Sequence, residues 1–298
     1  MNKFNKILVT GFSRENLDES TWAKIKKLAD KLVFEPEQGI DCLFSRFNKV
    51  DKQLIDSLSE LKYIGLLATG TGTVDLNYAK EKGITVCNIP GYATESVAEW
   101  VFGLILDHLR QLEKAKQTAR TGDFSGDGLT ATEIKGKKFG IIGLGRIGSR
   151  VAQIAQAFGA EVVYWSRNKK DGFKYEDLDA LIKTCDFVSL HTLTTKDTEE
   201  ILDVSRVKSG AIVINVSGME QVNLPALEKR LSKGDITFIL DHPDEMKPED
   251  VKKLAKFPNC IVYPPIGFIT AEARVNKQQI FVSNLENFLA GKPANIVN

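Results

Sequence analysis

The stretch KKFGIIGLGRIGSRVAQIAQAFGAEVVYWSR, residues 137–167, decides the fold of this chain. A short apolar run ends at the turn GLGRIG, which begins at Gly143. Apolar residues then recur at helical spacing, Gly159 stops the helix, and residues 161–165 form a second apolar run. This order predicts a strand, a helix and a second strand, with the pattern G-x-G-x-x-G at the first turn.

The three glycines of this turn predict a dinucleotide site. Gly143 would permit the tight turn, Gly145 would let the backbone approach a pyrophosphate, and Gly148 would let helix and strand pack closely. The helix that follows offers free N–H groups and a positive dipole end to phosphates. An ordinary βαβ turn that uses glycine for packing is the alternative, and the strand–turn–helix context favours the dinucleotide.

The end of the second strand favours NADP(H) over NAD(H). An acidic residue about 20 residues beyond the glycines binds the ribose diol of NAD. This chain instead has Ser166 and Arg167, followed by Asn168, Lys169 and Lys170. A hydroxyl, a guanidinium and ammonium groups suit a 2′-phosphate, which a carboxylate would repel. A solvated basic turn is the alternative.

Composition limits the class of protein. The 298 residues predict two domains, and 43% hydrophobic with 27% charged residues is typical of a soluble globular protein. A net charge of +1 does not favour a nucleic-acid or membrane partner. No secretory signal or membrane-spanning run is visible, so we expect a cytoplasmic protein. Cys42, Cys87, Cys185 and Cys260 are scattered without a neighbouring His, which predicts reduced thiols and no metal site.

Strand-like and helix-like segments alternate along the chain. Trp22, Ile25, Leu28 and Leu32 have helical spacing, and one long helix is predicted from Glu95 to about residue 119. The predicted strands cover residues 6–10, 42–44, 63–67, 85–88, 139–142, 161–165, 187–190, 211–216, 237–240 and 260–263. Such alternation predicts an α/β fold of two doubly wound parallel-sheet domains.

Four segments carry a family resemblance. Residues 66–99, 136–167, 186–192 (DFVSLHT) and 210–217 (GAIVINVS) resemble the substrate loop with its hinge, the nucleotide fingerprint and two cofactor strands of the D-isomer-specific 2-hydroxyacid dehydrogenases. The resemblance implies a Rossmann NADP-binding domain, residues 99–267, inserted into a flavodoxin-like substrate domain of residues 1–98 and 268–298. It also implies a homodimer and a small-molecule ligand in the cleft between the domains.

The resemblance implies a set of binding residues as well. Asp241 is among them, as the carboxylate that contacts the nicotinamide amide, and the substrate loop contributes Thr69, Gly70 and Thr71. The implied cofactor-binding residues are Gly143, Gly145, Arg146, Ile147, Gly148, Ser166, Arg167, Lys169, His191, Thr192, Thr198, Val216, Ser217, Asp241 and Gly267.

The family's catalytic set is replaced in this sequence. Its reaction moves a hydride between the nicotinamide and C2 of a 2-keto or 2-hydroxy acid, with an Arg that binds the carboxylate and a His positioned by a Glu. The corresponding positions are Gly218, Met246 and Pro265, whose side chains neither titrate nor donate a hydrogen bond. A positioned general acid contributes ~10²–10⁴-fold. We therefore do not expect efficient reduction of 2-keto acids by that mechanism.

Three functions stay open at this point. The chain is an NADP(H)-binding sensor or regulator without the parent chemistry, an NADPH-dependent oxidoreductase with another substrate or mechanism, or a conventional 2-keto-acid reductase with displaced catalytic groups. His242 and Glu245 could rebuild an acid/base pair in the third case. Solvated loop residues are the alternative that we favour for these two side chains.

Overall fold

The computed structural model describes residues 2–298, which divide into two compact units. Unit 1 comprises the chain up to Ala93 together with Thr270–Asn298, and unit 2 is Thr94–Ile269. A continuous helix, Thr94–Arg110, begins unit 2. The predicted boundary after residue 98 lies inside this helix, whereas the two units divide at its first residue, Thr94.

The elements alternate along most of the chain. The strands are β1 (Phe4–Val9), β2 (Ala29–Val33), β3 (Cys42–Ser45), β4 (Tyr63–Leu66), β5 (Thr85–Cys87), β6 (Lys138–Ile142), β7 (Glu161–Trp165), β8 (Lys174–Tyr175), β9 (Phe187–Leu190), β10 (Ile212–Asn215), β11 (Thr237–Leu240) and β12 (Cys260–Val262). The helices are α1 (Glu19–Lys27), α2 (Lys52–Ser57), α3 (Leu76–Glu81), α4 (Thr94–Arg110), α5 (Leu112–Arg120), α6 (Arg146–Ala157), α7 (Leu178–Thr184), α8 (Leu224–Lys233), α9 (Pro248–Leu254) and α10 (Ala271–Leu289).

Each unit is built on one parallel sheet. In unit 1 the strand order is β2-β1-β3-β4-β5, which is the flavodoxin-like order. In unit 2 the order is β12-β11-β10-β9-β6-β7-β8, which is the Rossmann order with one further strand. The predicted α/β fold with two parallel sheets is confirmed. In unit 2 the order reverses between β6 and β9, where such sheets bind ligands beyond the strand ends.

Apolar side chains cover both faces of the unit 2 sheet. Successive residues of one strand enter different clusters: Ile212 and Ile214 pack on one face, and Val213 packs on the other. Strands buried on both sides read as continuous apolar runs rather than as alternating patterns. Such continuous apolar runs therefore predict where the strands of unit 2 lie in the sequence.

Two segments differ from the sequence-based expectation. The helix predicted through Leu32 ends at Lys27, and the chain continues as edge strand β2 beside β1. The long helix predicted to residue 119 is two helices, because Gln111 adopts a left-handed conformation with φ of 49°. Its side-chain amide donates a hydrogen bond to the hydroxyl of Thr130 at 3.0 Å, which ties the break to the following loop.

Candidate nucleotide-binding site

The glycine-rich turn joins β6 to α6. Gly143 has φ of +97°, and a Cβ on it would lie 2.7 Å from the carbonyl oxygen of His191. A Cβ on Gly148 would lie 2.0 Å from the carbonyl oxygen of Gly143, so only glycine allows the helix to pack here. Gly145 faces open space and begins α6 without a side-chain cap. The first N–H groups of α6 are therefore free for an anion.

A cavity of roughly 360 Å³ opens beside this turn. It lies at the carboxyl ends of β6, β7 and β9, where the strand order reverses. Its lining residues are Gly143, Leu144, Gly145, Trp165, Ser166, Arg167, Asn168, Lys170, His191, Thr192, Leu193, Thr195, Asp197 and Thr198. The cavity thus brings together seven of the predicted cofactor residues: Gly143, Gly145, Ser166, Arg167, His191, Thr192 and Thr198.

Basic side chains line one end of the cavity. The guanidinium of Arg167 donates a hydrogen bond to Asp197 at 2.9 Å, and the two side chains are 63% and 74% exposed. The ammonium of Lys170 donates to the carbonyl oxygen of Leu144 at 2.6 Å. The ammonium of Lys169 instead lies over the ring of Tyr175 at 4.6 Å, away from the cavity. Of the two lysines named from the sequence, Lys170 lines the cavity and Lys169 does not.

Three predicted side chains shape the wall of the cavity: His191, Thr192 and Thr198. Nε2 of His191 lies 2.8 Å from the hydroxyl of Ser189, and Nδ1 is buried with no hydrogen-bond partner among the described residues. Burial lowers the pKa of His191 to about 3, so the ring is neutral at physiological pH. The hydroxyl of Thr192 donates to Gln221 at 2.7 Å, while Thr198 donates to the carbonyl oxygen of Leu193 at 2.6 Å.

Asp241 follows β11 and is 2% exposed. Its Oδ2 accepts a hydrogen bond from the indole Nε1 of Trp100 at 3.0 Å. Its Oδ1 is buried and has no hydrogen-bond partner within residues 2–298. Burial raises the pKa of Asp241 to about 6, an effect that the nearby His242 opposes. A buried carboxylate oxygen without a donor suits a ligand N–H.

The remaining predicted cofactor residues are not part of the cavity lining. Arg146 and Ile147 form the first turn of α6. Val216 and Ser217 follow β10, and the hydroxyl of Ser217 donates to the carbonyl oxygen of Leu190 at 3.2 Å. Gly267 is buried, and its carbonyl oxygen accepts from Ser96 at 2.5 Å.

A carboxylate occupies the position beside Gly218. A Cβ on Gly218 would lie 2.3 Å from Oε2 of Glu220 and 2.7 Å from the hydroxyl of Thr194. A longer side chain at residue 218 would therefore have to displace both groups. The space beside Gly218 is negatively charged, whereas an Arg there would make it positive.

Met246 and Pro265, the two other positions that the resemblance implies, carry no acid or base. Met246 is partly buried and packs against the apolar cluster on one face of the sheet. Pro265 is partly buried in the loop after β12. His242 lies 3.7 Å from Asp241 and 3.6 Å from Asp244, beyond hydrogen-bond distance in both cases. The carboxylates near His242 are therefore those of Asp241 and Asp244. Glu245, which the sequence suggested as the partner of His242, is exposed.

The predicted substrate loop lies in unit 1, just after β4. The hydroxyl of Thr69 donates to the carbonyl oxygen of Ile89 at 3.3 Å, and the carbonyl oxygen of Thr71 accepts from the N–H of Val74 at 3.0 Å. A Cβ on Gly70 would meet open space. The loop is fixed at both ends, and its centre is accessible.

Among residues 2–298, no helix is long and apolar enough to cross a membrane. Within that part of the chain, no three His, Cys, Asp or Glu side chains are grouped so as to hold a metal ion. The four cysteines are free and buried.

The residues present fit a pyridine dinucleotide. The open approach at Gly145 suits a pyrophosphate, and the unpartnered Oδ1 of Asp241 suits an amide N–H. Sequence reasoning missed Trp100 and Asp197 as parts of this site. Their partners lie far away in the sequence or across a turn, and no local motif marks them.

Comparison with known proteins agrees with this geometry. The family described as D-isomer specific 2-hydroxyacid dehydrogenase, NAD binding domain, matches residues 102–267. A glyoxylate reductase of Thermococcus litoralis is 33% identical over 300 residues, which cover 93% of this chain and 89% of that protein. A hydroxypyruvate reductase of Blautia hydrogenotrophica is 31% identical over 322 residues, which cover 98% and 99%.

A solved structure extends the comparison to the whole fold. An acyclic imino acid reductase (Bsp5) in complex with NADPH and D-Arg has a TM-score of 0.87 to this chain at 29% identity, covering 98% of this chain and 100% of that one. The family predicted from the sequence is confirmed, and unit 2 contains an NAD(P)-binding domain. The chain therefore belongs to the D-isomer-specific 2-hydroxyacid dehydrogenase family.

Proposed function

We propose that this chain binds NADP(H) in preference to NAD(H). The supporting observation is the basic end of the cavity, where Ser166, Arg167 and Lys170 take the place of an acidic ribose-binding residue. The guanidinium of Arg167 uses one nitrogen on Asp197 and keeps other donors for a 2′-phosphate. The first N–H groups of α6 would bind the pyrophosphate, and Asp241 would accept from the nicotinamide amide.

A fluorescence titration tests this preference. NADPH is expected to bind at least about tenfold tighter than NADH, since one charge-assisted contact to phosphate contributes about that much. Arg167→Ala should remove most of the difference while leaving NADH binding unchanged. Tighter binding of NADH to the parent protein would contradict the assignment.

We further propose that the chain is not an efficient 2-keto-acid reductase and serves in a binding or regulatory role. One observation carries this proposal: the carboxylate of Glu220 lies beside Gly218, where the family's carboxylate-binding Arg is expected. A substrate carboxylate would meet repulsion there rather than a bidentate donor. Neither Met246 nor Pro265 can donate a proton to the oxygen that a hydride would leave charged.

The same carboxylate favours a second candidate, an NADPH-dependent reductase of protonated imines. Bound NADPH supplies the hydride. A protonated imine already carries positive charge, so its carbon accepts hydride to give a neutral amine without a proton donor. Glu220 would stabilise that cation. The similar imino acid reductase is a further reason to test this chemistry.

Paired substrates separate the two candidates. NADPH oxidation is measured with 1-pyrroline and with cyclopentanone, a ketone of the same ring size. Turnover of 1-pyrroline alone, with KM raised about fourfold by Glu220→Gln, supports the imine reductase, since one unit charge at about 5 Å in water has that effect. No turnover of either compound supports the binding role.

We also propose that the chain forms a homodimer. The family resemblance implies it, and α5 buries none of its residues within its own chain. Light scattering after size-exclusion chromatography distinguishes a dimer from a monomer.

A further inference from the structure

We propose that Trp100 is a positioning residue for the nicotinamide end of the site. Its indole N–H holds Oδ2 of Asp241 at 3.0 Å, while Oδ1 is buried without a hydrogen-bond partner, 3.7 Å from Nε2 of His242. Asp241 is buried, and without the indole its carboxylate would lose the hydrogen bond that fixes its orientation. The proposal rests on the binding of NADP(H) proposed above.

Several contacts hold Trp100 itself in place. The ring of Tyr263 meets the indole edge-on, with ring centres 5.6 Å apart and planes at 85°. The hydroxyl of Tyr263 donates to Asp107 at 2.7 Å, and both Trp100 and Asp107 lie on α4. The helix therefore holds Tyr263 at two points. An indole packed in this way has little freedom to turn away from Asp241.

The loop after β12 is fitted to the same indole. A Cβ on Gly267 would lie 2.6 Å from Cδ1 of Trp100, so residue 267 has to be glycine while the indole stays where it is. One turn before Trp100 on α4, the hydroxyl of Ser96 donates to the carbonyl oxygen of Gly267 at 2.5 Å. The backbone N–H of Tyr263 donates to the carbonyl oxygen of Leu240 at 2.8 Å, directly before Asp241. Helix α4 thus contacts the loop after β11, which carries Asp241, and the loop after β12, which carries Gly267.

A role in packing alone would make Trp100 equally important for every ligand of unit 2. A role in orienting Asp241 makes it important only for ligands that carry the carboxamide. The adenosine end of the cavity lies at β6, β7 and β9, and Asp241 follows β11, two strands beyond β9 in the sheet. A nucleotide without the nicotinamide ring therefore serves as an internal control.

The test compares Trp100→Phe with the parent protein for two ligands, NADPH and 2′-phospho-ADP-ribose, by calorimetric titration. Phe keeps an aromatic ring against Tyr263 and removes the donor. We expect NADPH to bind the variant about tenfold more weakly, the loss typical of one hydrogen bond to a charged group, while the affinity for 2′-phospho-ADP-ribose stays the same. Trp22→Phe makes the same substitution in unit 1, outside this cluster, and should change neither affinity.

Any other result would contradict one of the two proposals. Equal losses for both ligands, or no loss for either, would overturn the positioning role of Trp100. Equal affinity of the parent protein for the two ligands would overturn it as well, because Asp241 would then make no contact worth orienting. Failure of the parent protein to bind either ligand would instead refute the proposed NADP(H) binding.

Discussion

Replacing Asp241 by Asn is predicted to stabilise unit 2 at pH 8. Asp241 is 2% exposed, and burial raises its pKa to about 6 from 3.8. The folded protein therefore holds this proton more tightly than the unfolded chain does. The resulting stabilisation is complete below about pH 4 and is lost as the pH rises through about 6. A pKa of about 6 in the folded protein, against 3.8 for an ordinary Asp, corresponds to about 3 kcal/mol.

Asparagine keeps an oxygen that accepts from Trp100 and has no charge to bury. At pH 8 the free energy of unfolding of the Asp241→Asn variant should exceed that of the parent by up to about 3 kcal/mol. The difference should shrink toward zero near pH 4, where the parent carboxyl is protonated. The ionised carboxylate thus costs stability, as functional groups often do.

Urea unfolding followed by tryptophan fluorescence measures this effect across pH. A Trp22→Phe background removes the tryptophan of unit 1, so that Trp100 and Trp165 report unit 2 alone. Asp244→Asn is the matched control, because Asp244 also lies near His242 but its side chain is 55% exposed. The control should change stability by less than about 0.5 kcal/mol. An Asp241→Asn variant no more stable than its parent at pH 8 would refute the reasoning.

Three further predictions follow from the cavity. Asp197→Asn should tighten NADPH binding by roughly threefold to tenfold and leave the affinity for NADH unchanged. The reason is that one unit charge repels a doubly charged phosphate across about 6 Å of water. Unchanged affinity for both nucleotides in a titration would count against this prediction. As the pH falls from about 6.5 to 4.5, the parent should lose up to about 3 kcal/mol more stability than His191→Asn in urea unfolding. The reason is that the imidazole of His191 takes up a proton only in the unfolded chain. Identical pH profiles of the two proteins would contradict the lowered pKa of His191. Gly148→Ala should destabilise unit 2 by about 1–3 kcal/mol. Gly145→Ala should keep the parent's free energy of unfolding in urea and bind NADPH more weakly. The reverse pattern would refute the roles assigned to these two glycines.

Much of the fold was predictable because apolar runs and turn glycines mark buried parallel strands. Strands β7, β9 and β11 have the predicted bounds. Edge strand β2 was missed, because Leu32 continues the helical spacing of α1 and only its pairing with β1 makes it a strand. The break at Gln111 was missed as well, since no Gly or Pro marks it and the stabilising contact comes from Thr130.

The site was predictable where a local motif defines it. The glycine turn and the residues after β7 follow from spacing, and the structure brings them to one cavity. The partners of these groups were not predictable. The contact between Trp100 and Asp241 joins residues 141 positions apart, and the contact between Arg167 and Asp197 joins residues 30 positions apart. Such contacts depend on the sheet order, which no short pattern encodes.

The most direct test of the central claim is the turnover of glyoxylate and hydroxypyruvate at saturating NADPH, beside the glyoxylate reductase of Thermococcus litoralis under the same conditions. Titration with NADPH first establishes that the cofactor is bound. The account predicts a kcat/KM at least about 100-fold below that of the relative, the lower end of what a positioned general acid contributes. A kcat/KM equal to that of the relative would contradict it.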